Sequence, residues 1–87
     1  MGSDSALMYY VYIVQCVDGT LYTGITSDLI RRLAEHNSSV RGAKYTRGRR
    51  PVTLLYSEEF SDRATASVAE FQIKKLSRAE KLRLFAR

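Results

Sequence analysis

Apolar residues fill almost every position from 8 to 17, and most of them are β-branched, aromatic or aliphatic. Such a run is typical of a central strand that is covered on both faces. Asp18-Gly19 interrupts the run, and apolar residues resume over positions 21–25. The two runs therefore predict a β-hairpin.

After the hairpin, apolar residues recur at helical spacing over positions 29–34, which predicts a helix. Either Ser27 or Asp28 can cap it by accepting hydrogen bonds from its first amides. We expect this helix to end near Asn37. Residues 38–51 contain glycine, proline and many basic residues, and we interpret them as a basic loop.

The second half of the chain predicts one more strand and two helices. Residues 52–60 alternate and are rich in strand-forming side chains, and Ser61 or Asp62 can cap a helix that continues to about position 76. Ser77 and Glu80 have the spacing of a capping box for a last helix. The predicted fold is α+β, with a small three-stranded, mostly antiparallel sheet flanked by helices in the order β-β-α-β-α-α.

Chain length and composition indicate one globular domain. The chain has 87 residues, and we expect a single domain over residues 8–87 and interpret the polar residues 1–7 as a leader or tag. One cysteine and one histidine exclude an internal disulfide and a structural zinc cluster. Without a long apolar run or a secretory signal, we expect a cytoplasmic monomer or weak dimer that binds no membrane and no small-molecule cofactor.

Positive charge is concentrated in the second half of the chain. Residues 1–40 carry two basic and four acidic groups, and residues 41–87 carry twelve and five, so the two parts have net charges of −2 and +7. Such a charge attracts polyanions. We predict that the basic loop contacts nucleic acid through Lys44, Tyr45, Arg47, Arg49 and Arg50, although these cations could instead only keep the surface soluble. Lys74, Arg78 and Lys81 allow the same two interpretations.

A set of residues in a fixed order carries the functional signal. It comprises Tyr10-Val11-Tyr12 on the first strand, Tyr22-Thr23-Gly24 on the second, Arg32 eight residues beyond Gly24, His36 one helical turn later, the stretch Gly-Ala-Lys-Tyr-Thr-Arg-Gly at 42–48, and Glu70 on a later helix. This order resembles the GIY-YIG nuclease family, in particular its short stand-alone members. The chain departs from the family pattern in two places, since Tyr10 replaces a glycine and no asparagine follows Glu70.

The resemblance implies that Arg32 and His36 belong to a catalytic site and that Glu70 binds a metal ion. Phosphodiester hydrolysis independently requires a positioned water, a base and positive charge near the phosphate. Arg32 can donate two parallel hydrogen bonds to a phosphate, and Glu70 offers a hard oxygen ligand for one Mg²⁺ or Mn²⁺ ion. Tyr22 is our first choice for the base and Tyr12 our second. Glu70 could instead form an ordinary ion pair with Lys74.

The hairpin loop decides whether the two tyrosines can act together. A two-residue loop of Asp18 and Gly19 would put Tyr12 and Tyr22 on opposite faces of the sheet. A three-residue loop that includes Val17, with Gly19 in the left-handed conformation, would align them on one face. We predict the three-residue loop.

The function predicted from the sequence is a metal-dependent endonuclease that hydrolyses DNA phosphodiester bonds. Because the chain carries no added recognition domain, we expect selectivity for structure or strandedness, with single-stranded or branched DNA favoured. The alternative is a non-catalytic nucleic-acid-binding module that uses the same basic groove. The two hypotheses differ in their need for metal.

Overall fold

A computed structural model describes residues 8–38, 41 and 44–85 of the chain, so the interpretation of residues 1–7 as a leader lies outside the described residues. The elements are, in chain order, β1 (Tyr9–Gln15), β2 (Leu21–Thr26), α1 (Leu29–Ser38), α2 (Lys44–Arg47), β3 (Thr53–Phe60), α3 (Arg63–Lys74) and α4 (Arg78–Arg83). The predicted α+β order is confirmed. The addition is α2, a single helical turn within the segment interpreted as a loop.

The sheet is antiparallel throughout, with β1 in the centre and the order β2-β1-β3. Its hairpin has the predicted three-residue loop, because Val14 pairs with Tyr22 and the amide of Cys16 donates to the carbonyl of Thr20 at 2.8 Å. Gly19 adopts a φ of 87°, a backbone conformation that residues with a Cβ atom rarely adopt. The loop therefore sets the register that places Tyr12 and Tyr22 on one face.

A hydrophobic core lies on each face of the sheet, as the continuous apolar run of the central strand predicts. On one face Val11 and Ile13 pack against Ala66 and Ile73 of α3. On the other face, Tyr12, Val14, Cys16 and Val52 form a second cluster with Leu29 and Leu33 of α1. The sheet is thus enclosed between α3 and α1, and the alternation along β1 directs Tyr12 towards α1.

Helix α3 carries two apolar stripes, one of Ala64, Val68 and Phe71 and one of Ala66, Ala69 and Ile73, and only the second packs against the core. Ala66 is fully buried, whereas Val68 and Phe71 are 57% and 61% exposed. The described part of α4 therefore leaves the stripe of Val68 and Phe71 uncovered. Glu70 lies at the border of the buried side, where its side chain is 18% exposed and so partly enclosed.

Caps and polar contacts fix the helices that carry the candidate site. Asp28 accepts a hydrogen bond from the amide of Arg31, and Asp62 accepts one from the amide of Thr65. Of the two capping residues that the sequence allowed at each helix start, the aspartate rather than the serine is therefore the cap. The predicted capping box of the last helix is present. Such caps contribute about 1 kcal/mol each. Within the described residues, no helix is long and apolar enough to cross a membrane.

Candidate active site

Tyr12 lies on the central strand opposite Gly24 of β2, and its side chain is 2% exposed. A Cβ atom added to Gly24 would stand 2.6 Å from Cζ of the Tyr12 ring and closer still to its hydroxyl. The ring therefore occupies the space that a side chain at position 24 would need. Gly24 is required here for close approach, since it allows the tyrosine hydroxyl to lie across β2.

His36 is held behind Tyr12 by two short hydrogen bonds. Its ring is fully buried, with Nε2 at 2.8 Å from the Tyr12 hydroxyl and Nδ1 at 2.8 Å from Oγ1 of Thr46. The ring of Tyr22 meets it edge to face at a centroid distance of 5.4 Å. His36 is therefore not an ordinary surface histidine, and contacts from α1 and α2 together fix the orientation of Tyr12.

The electrostatics of this pair keep both rings neutral. Burial, reinforced by the positive charge of Arg32, lowers the pKa of His36 to about 4. Burial also raises the pKa of Tyr12 to about 12, against the opposing effect of a hydrogen bond with Arg32. A neutral imidazole donates from one nitrogen and accepts at the other. The three groups Tyr12, His36 and Thr46 therefore form one directed chain of hydrogen bonds.

Arg32 borders this cluster through its hydrogen bond with Tyr12, and its side chain is 25% exposed. Its Nη1 donates to Oε1 of Glu35 at 3.0 Å and to the carbonyl of Arg41 at 2.6 Å. A guanidinium has five N–H donors, so it retains others for a phosphate. The side chain is held from two sides while part of it faces solvent, which suits an anion-binding group.

Tyr22 and Glu70 are the remaining predicted site residues, and they belong to opposite faces of the sheet. Tyr22 is half-buried on the same face of the sheet as Tyr12. Glu70 projects from α3, on the opposite face, yet its negative charge contributes to the raised pKa of Tyr12 after the larger effects of burial and neighbouring groups. The ion pair with Lys74 also exists, at 3.2 Å. The pair leaves the metal-binding role of Glu70 a prediction.

The fit of a divalent metal ion to these residues depends on the substrate. Among the described residues, no group of three or more histidine, cysteine, aspartate or glutamate side chains could hold a metal by itself. Magnesium, however, is commonly held by one carboxylate with substrate phosphate and water. Glu70 is a partly enclosed carboxylate whose charge reaches Tyr12. It fits a site shared with substrate phosphate and does not fit a site made of protein ligands alone.

The predicted nucleic-acid contacts are distributed unevenly over α2 and the segment after it. Arg47 is exposed. Arg49 pairs with Asp18 at 3.0 Å, and Arg50 donates from Nε to the carbonyl of His36 at 2.5 Å, so both also fasten the segment to the domain. The side chains of Lys44 and Tyr45 lie outside what the structure describes.

Sequence reasoning missed Thr46, which is fully buried against His36. Thr46 lies in a basic stretch that we interpreted as a loop, and nothing in the sequence of that stretch sets it apart as a buried residue. Asn37 was also missed. Its side chain exchanges two hydrogen bonds with the backbone of Val52, which fixes the end of α1 to the approach of β3.

Comparison with known proteins shows the family to which the chain belongs. Residues 8–83 match the family described as the GIY-YIG catalytic domain. A UPF0213 protein of Desulfotalea psychrophila is 60% identical over 84% of this chain and 66% of its own length, so the chain spans just under two thirds of that relative. A UPF0213 protein of Halobacterium salinarum is 55% identical over 90% of this chain and 100% of its own length.

Solved structures show the same fold. The solution NMR structure of a UPF0213 protein from Bacillus halodurans has a TM-score of 0.57 at 45% identity, covering 88% of this chain and 81% of that one. The solution NMR structure of a protein from E. faecalis has a TM-score of 0.59 at 41% identity, covering 88% and 82%. At these identities, the likeness extends beyond the fold to the sequence that builds it.

Proposed function

We propose that this chain, which belongs to the GIY-YIG family of catalytic domains, is a metal-dependent endonuclease that hydrolyses DNA phosphodiester bonds. One observation carries the proposal. Tyr12, Tyr22, Arg32 and His36, scattered over 25 positions of the sequence, converge on one face of the β1–β2 hairpin, and the charge of Glu70 on α3 reaches Tyr12 from the other face. Structural roles alone do not require this combination of groups.

Arg32 is proposed to bind the scissile phosphate. Its charge is permanent, and its planar group can donate two parallel hydrogen bonds to phosphate oxygens. The contacts with Glu35 and the carbonyl of Arg41 orient the guanidinium before substrate arrives. Such preorganised donors stabilise the charge that develops on the phosphate in the transition state.

Tyr22 is the better candidate for the base that activates water. Tyr12 is 2% exposed and its pKa is raised to about 12 by burial, so it holds its proton and has little access to water. Tyr22 is half-buried and lies next to His36 on the same face. We assign Tyr12 and His36 to positioning, since the histidine fixes the ring that forms the floor of the site.

Glu70 would hold one Mg²⁺ or Mn²⁺ ion together with the substrate phosphate. When bound, the ion supplies a Lewis acid that withdraws charge from the phosphate oxygens. The ion pair with Lys74 keeps the carboxylate in place until then, with the two groups 3.2 Å apart. Both members lie on α3, whose buried stripe anchors it to the sheet.

The proposed substrate is single-stranded or branched DNA. The cations Lys44, Arg47, Arg49 and Arg50, with Tyr45 as a surface for base stacking, would contact the strand without reading its sequence. Arg47 is the exposed member of this set among the side chains described. Selectivity would come from the shape of the strand that reaches Arg32.

The test is cleavage of end-labelled single-stranded, branched and duplex DNA with Mg²⁺, Mn²⁺ or EDTA. Arg32→Ala should lower kcat by on the order of 10²- to 10³-fold, the usual effect of losing one preorganised donor. Arg31→Ala is the matched control, because Arg31 is the adjacent residue on α1 but its side chain is 68% exposed. We expect it to cut at nearly the normal rate.

Two further pairs of variants assign the other roles. Glu70→Gln should abolish metal-dependent cutting while DNA binding, measured by fluorescence anisotropy, survives, and Glu59→Gln on the exposed side of β3 should change neither. Tyr22→Phe should remove cleavage, whereas Tyr12→Phe should retain part of it. Tight binding of DNA without cutting in either metal would contradict the proposal and favour the non-catalytic binding module.

A further inference from the structure

A cationic pocket opens at the start of β2, on the face of the sheet away from Tyr22. It has a volume of about 200 Å³ and is lined by Thr20, Leu21, Arg78 and Lys81. Leu21 packs on the α3 side of the sheet, whereas Tyr22 packs on the α1 side. The pocket is therefore separate from the cluster of Tyr12, Tyr22 and His36, although both border the edge strand β2.

Arg78 is fixed in this pocket by a hydrogen bond from Nη1 to the carbonyl of Gly19 at the hairpin loop. That contact uses one nitrogen and leaves other donors of the guanidinium for a ligand. Among the described residues, no carboxylate oxygen lies within ion-pair distance of Arg78 or Lys81. The pocket thus holds two cations with which no acidic side chain of the described residues forms an ion pair.

The nearest acid along the hairpin, Asp18, is already committed elsewhere. Its Oδ1 accepts from the amide and the hydroxyl of Thr20 at 3.1 and 2.7 Å, and its Oδ2 accepts from Arg49 at 3.0 Å. The carboxylate therefore holds the loop in shape and is occupied by these donors. It does not provide a direct partner for the cations of the pocket.

The surroundings of Lys81 add more positive charge. Residues 74–83 contain five basic residues and one acidic residue, Glu80, whose carboxylate accepts from the amide of Ser77 in the capping box. Burial lowers the pKa of Lys81, and the positive charge of Lys74 lowers it further. An anion bound in the pocket would relieve this repulsion.

The position of the pocket connects it to the proposed metal ligand. Lys74, which is close enough to influence Lys81, pairs with Glu70 at 3.2 Å. Glu70 and Lys74 are thus in contact, the charge of Lys74 reaches Lys81, and Arg78 lines the same pocket as Lys81. A nucleic-acid strand whose scissile phosphate binds near Glu70 would have these cations within reach of a neighbouring phosphate.

We propose that Arg78 and Lys81 form a phosphate-binding site, and that it holds a phosphate of the substrate strand other than the scissile one. The second part rests on the proposed nuclease function, whereas the first part does not. Arg78 supplies a planar set of donors in a fixed position, and Lys81 supplies a compact charge, which is a common division of roles at phosphate sites. The ligand class is a phosphodiester or a free phosphate group.

The first experiment tests the site without cleavage. Inorganic pyrophosphate is titrated into the 87-residue protein, and the amide signals of Thr20 and Leu21 and the Nε signal of Arg78 are followed by NMR. We expect saturable shifts at these groups. The double variant Arg78→Ala/Lys81→Ala should bind pyrophosphate at least fivefold more weakly. The control, Lys75→Ala/Arg83→Ala, removes two exposed cations from the same segment and should bind normally.

The second experiment measures the effect on the substrate strand. The pocket double variant should raise the KM for single-stranded DNA roughly fivefold with kcat within about twofold. The slope of log affinity against log salt should become about 0.7 shallower, the value for one lost phosphate contact on a single strand. The control double variant should change the KM less than twofold. Lys81→Gln, which keeps the side chain's bulk, repeats the test if the double variant does not fold.

The outcomes separate this proposal from the proposed function. If the wild-type protein cuts no DNA but pyrophosphate shifts the pocket signals, the phosphate site stands and the nuclease assignment fails. If the protein cuts DNA and both double variants weaken pyrophosphate and DNA binding equally, the nuclease stands and the site is overturned. Shifts spread evenly over all basic residues, with no saturation at Thr20 and Leu21, would also overturn it.

Discussion

Acidification should destabilise this domain through His36, its single histidine. The ring is fully buried and its pKa in the folded protein is lowered to about 4, chiefly by burial and then by the charge of Arg32. An unfolded histidine has a pKa of about 6.5. Between these values the unfolded chain binds more protons than the folded one, so stability falls as the pH falls from about 6.5 to about 4.

The size of the effect follows from the two pKa values. A difference of one pKa unit corresponds to about 1.4 kcal/mol. At pH 5 the unfolded histidine is almost fully protonated and the folded one is mostly neutral, which removes about 2 kcal/mol of the stability present at pH 7. A domain of this size typically has a stability of only about 5–10 kcal/mol. The loss should therefore be readily measurable.

The assay is urea unfolding of the wild-type protein and of His36→Gln at half-unit steps from pH 7 to pH 4.5. With a slope of about 1 kcal/mol per molar urea, the wild-type midpoint should fall by roughly 1–2 M between pH 7 and pH 5. His36→Gln should be less stable at pH 7 but should show a much flatter profile. Parallel profiles for the two proteins, or an imidazole NMR titration with a midpoint near 6.5, would refute the reasoning.

Thr46→Val extends the same prediction to the other end of the hydrogen-bonded chain. The substitution keeps the shape of the side chain and removes the oxygen that lies 2.8 Å from Nδ1 of His36. A buried ring nitrogen without a partner costs about 1–3 kcal/mol. The unfolding free energy at pH 7 should fall by that amount. A change below about 0.5 kcal/mol would show that the contact is not formed in solution.

Two further substitutions test single contacts of the site. Gly24→Ala should destabilise the domain by about 1–3 kcal/mol, because the new methyl group would overlap the ring of Tyr12, whereas Gly48→Ala, which meets nothing within 4 Å, should cost far less in the same urea assay. Lys74→Gln should lower the Mn²⁺ concentration for half-maximal cleavage about twofold, since an exposed ion pair of about 0.4 kcal/mol no longer competes for Glu70; an unchanged or higher requirement would count against Glu70 as the metal ligand.

The sheet could be predicted because its determinants are local. The register of the hairpin depends on the length of one loop, and the sequence Val17-Asp18-Gly19 offers a glycine where the backbone needs a positive φ. The capping residues likewise act within three positions of the amides that they bind. Where a few adjacent residues decide the conformation, pattern and turn chemistry are sufficient.

The environment of His36 could not be predicted, because it depends on contacts between distant segments. Thr46 comes from a stretch whose charges predict an exposed loop, and only the fold shows that one turn of helix directs its hydroxyl inward. The exposure of Val68 and Phe71 has the same origin, since helical spacing shows that two stripes exist and not which neighbour covers them. Sequence periodicity describes a surface, whereas burial depends on what packs against it.

Burial also separates the two tyrosines, which the sequence left as alternatives. Both lie on one face and both contact His36, so position in the motif does not distinguish them. The difference is that Tyr12 lies across Gly24 with 2% of its surface exposed, whereas Tyr22, at the start of β2, keeps more access to solvent. A base must both lose a proton and reach water. Burial raises the pKa of Tyr12 to about 12 and so favours its protonated form, and we therefore expect Tyr22, which is more exposed, to be the base.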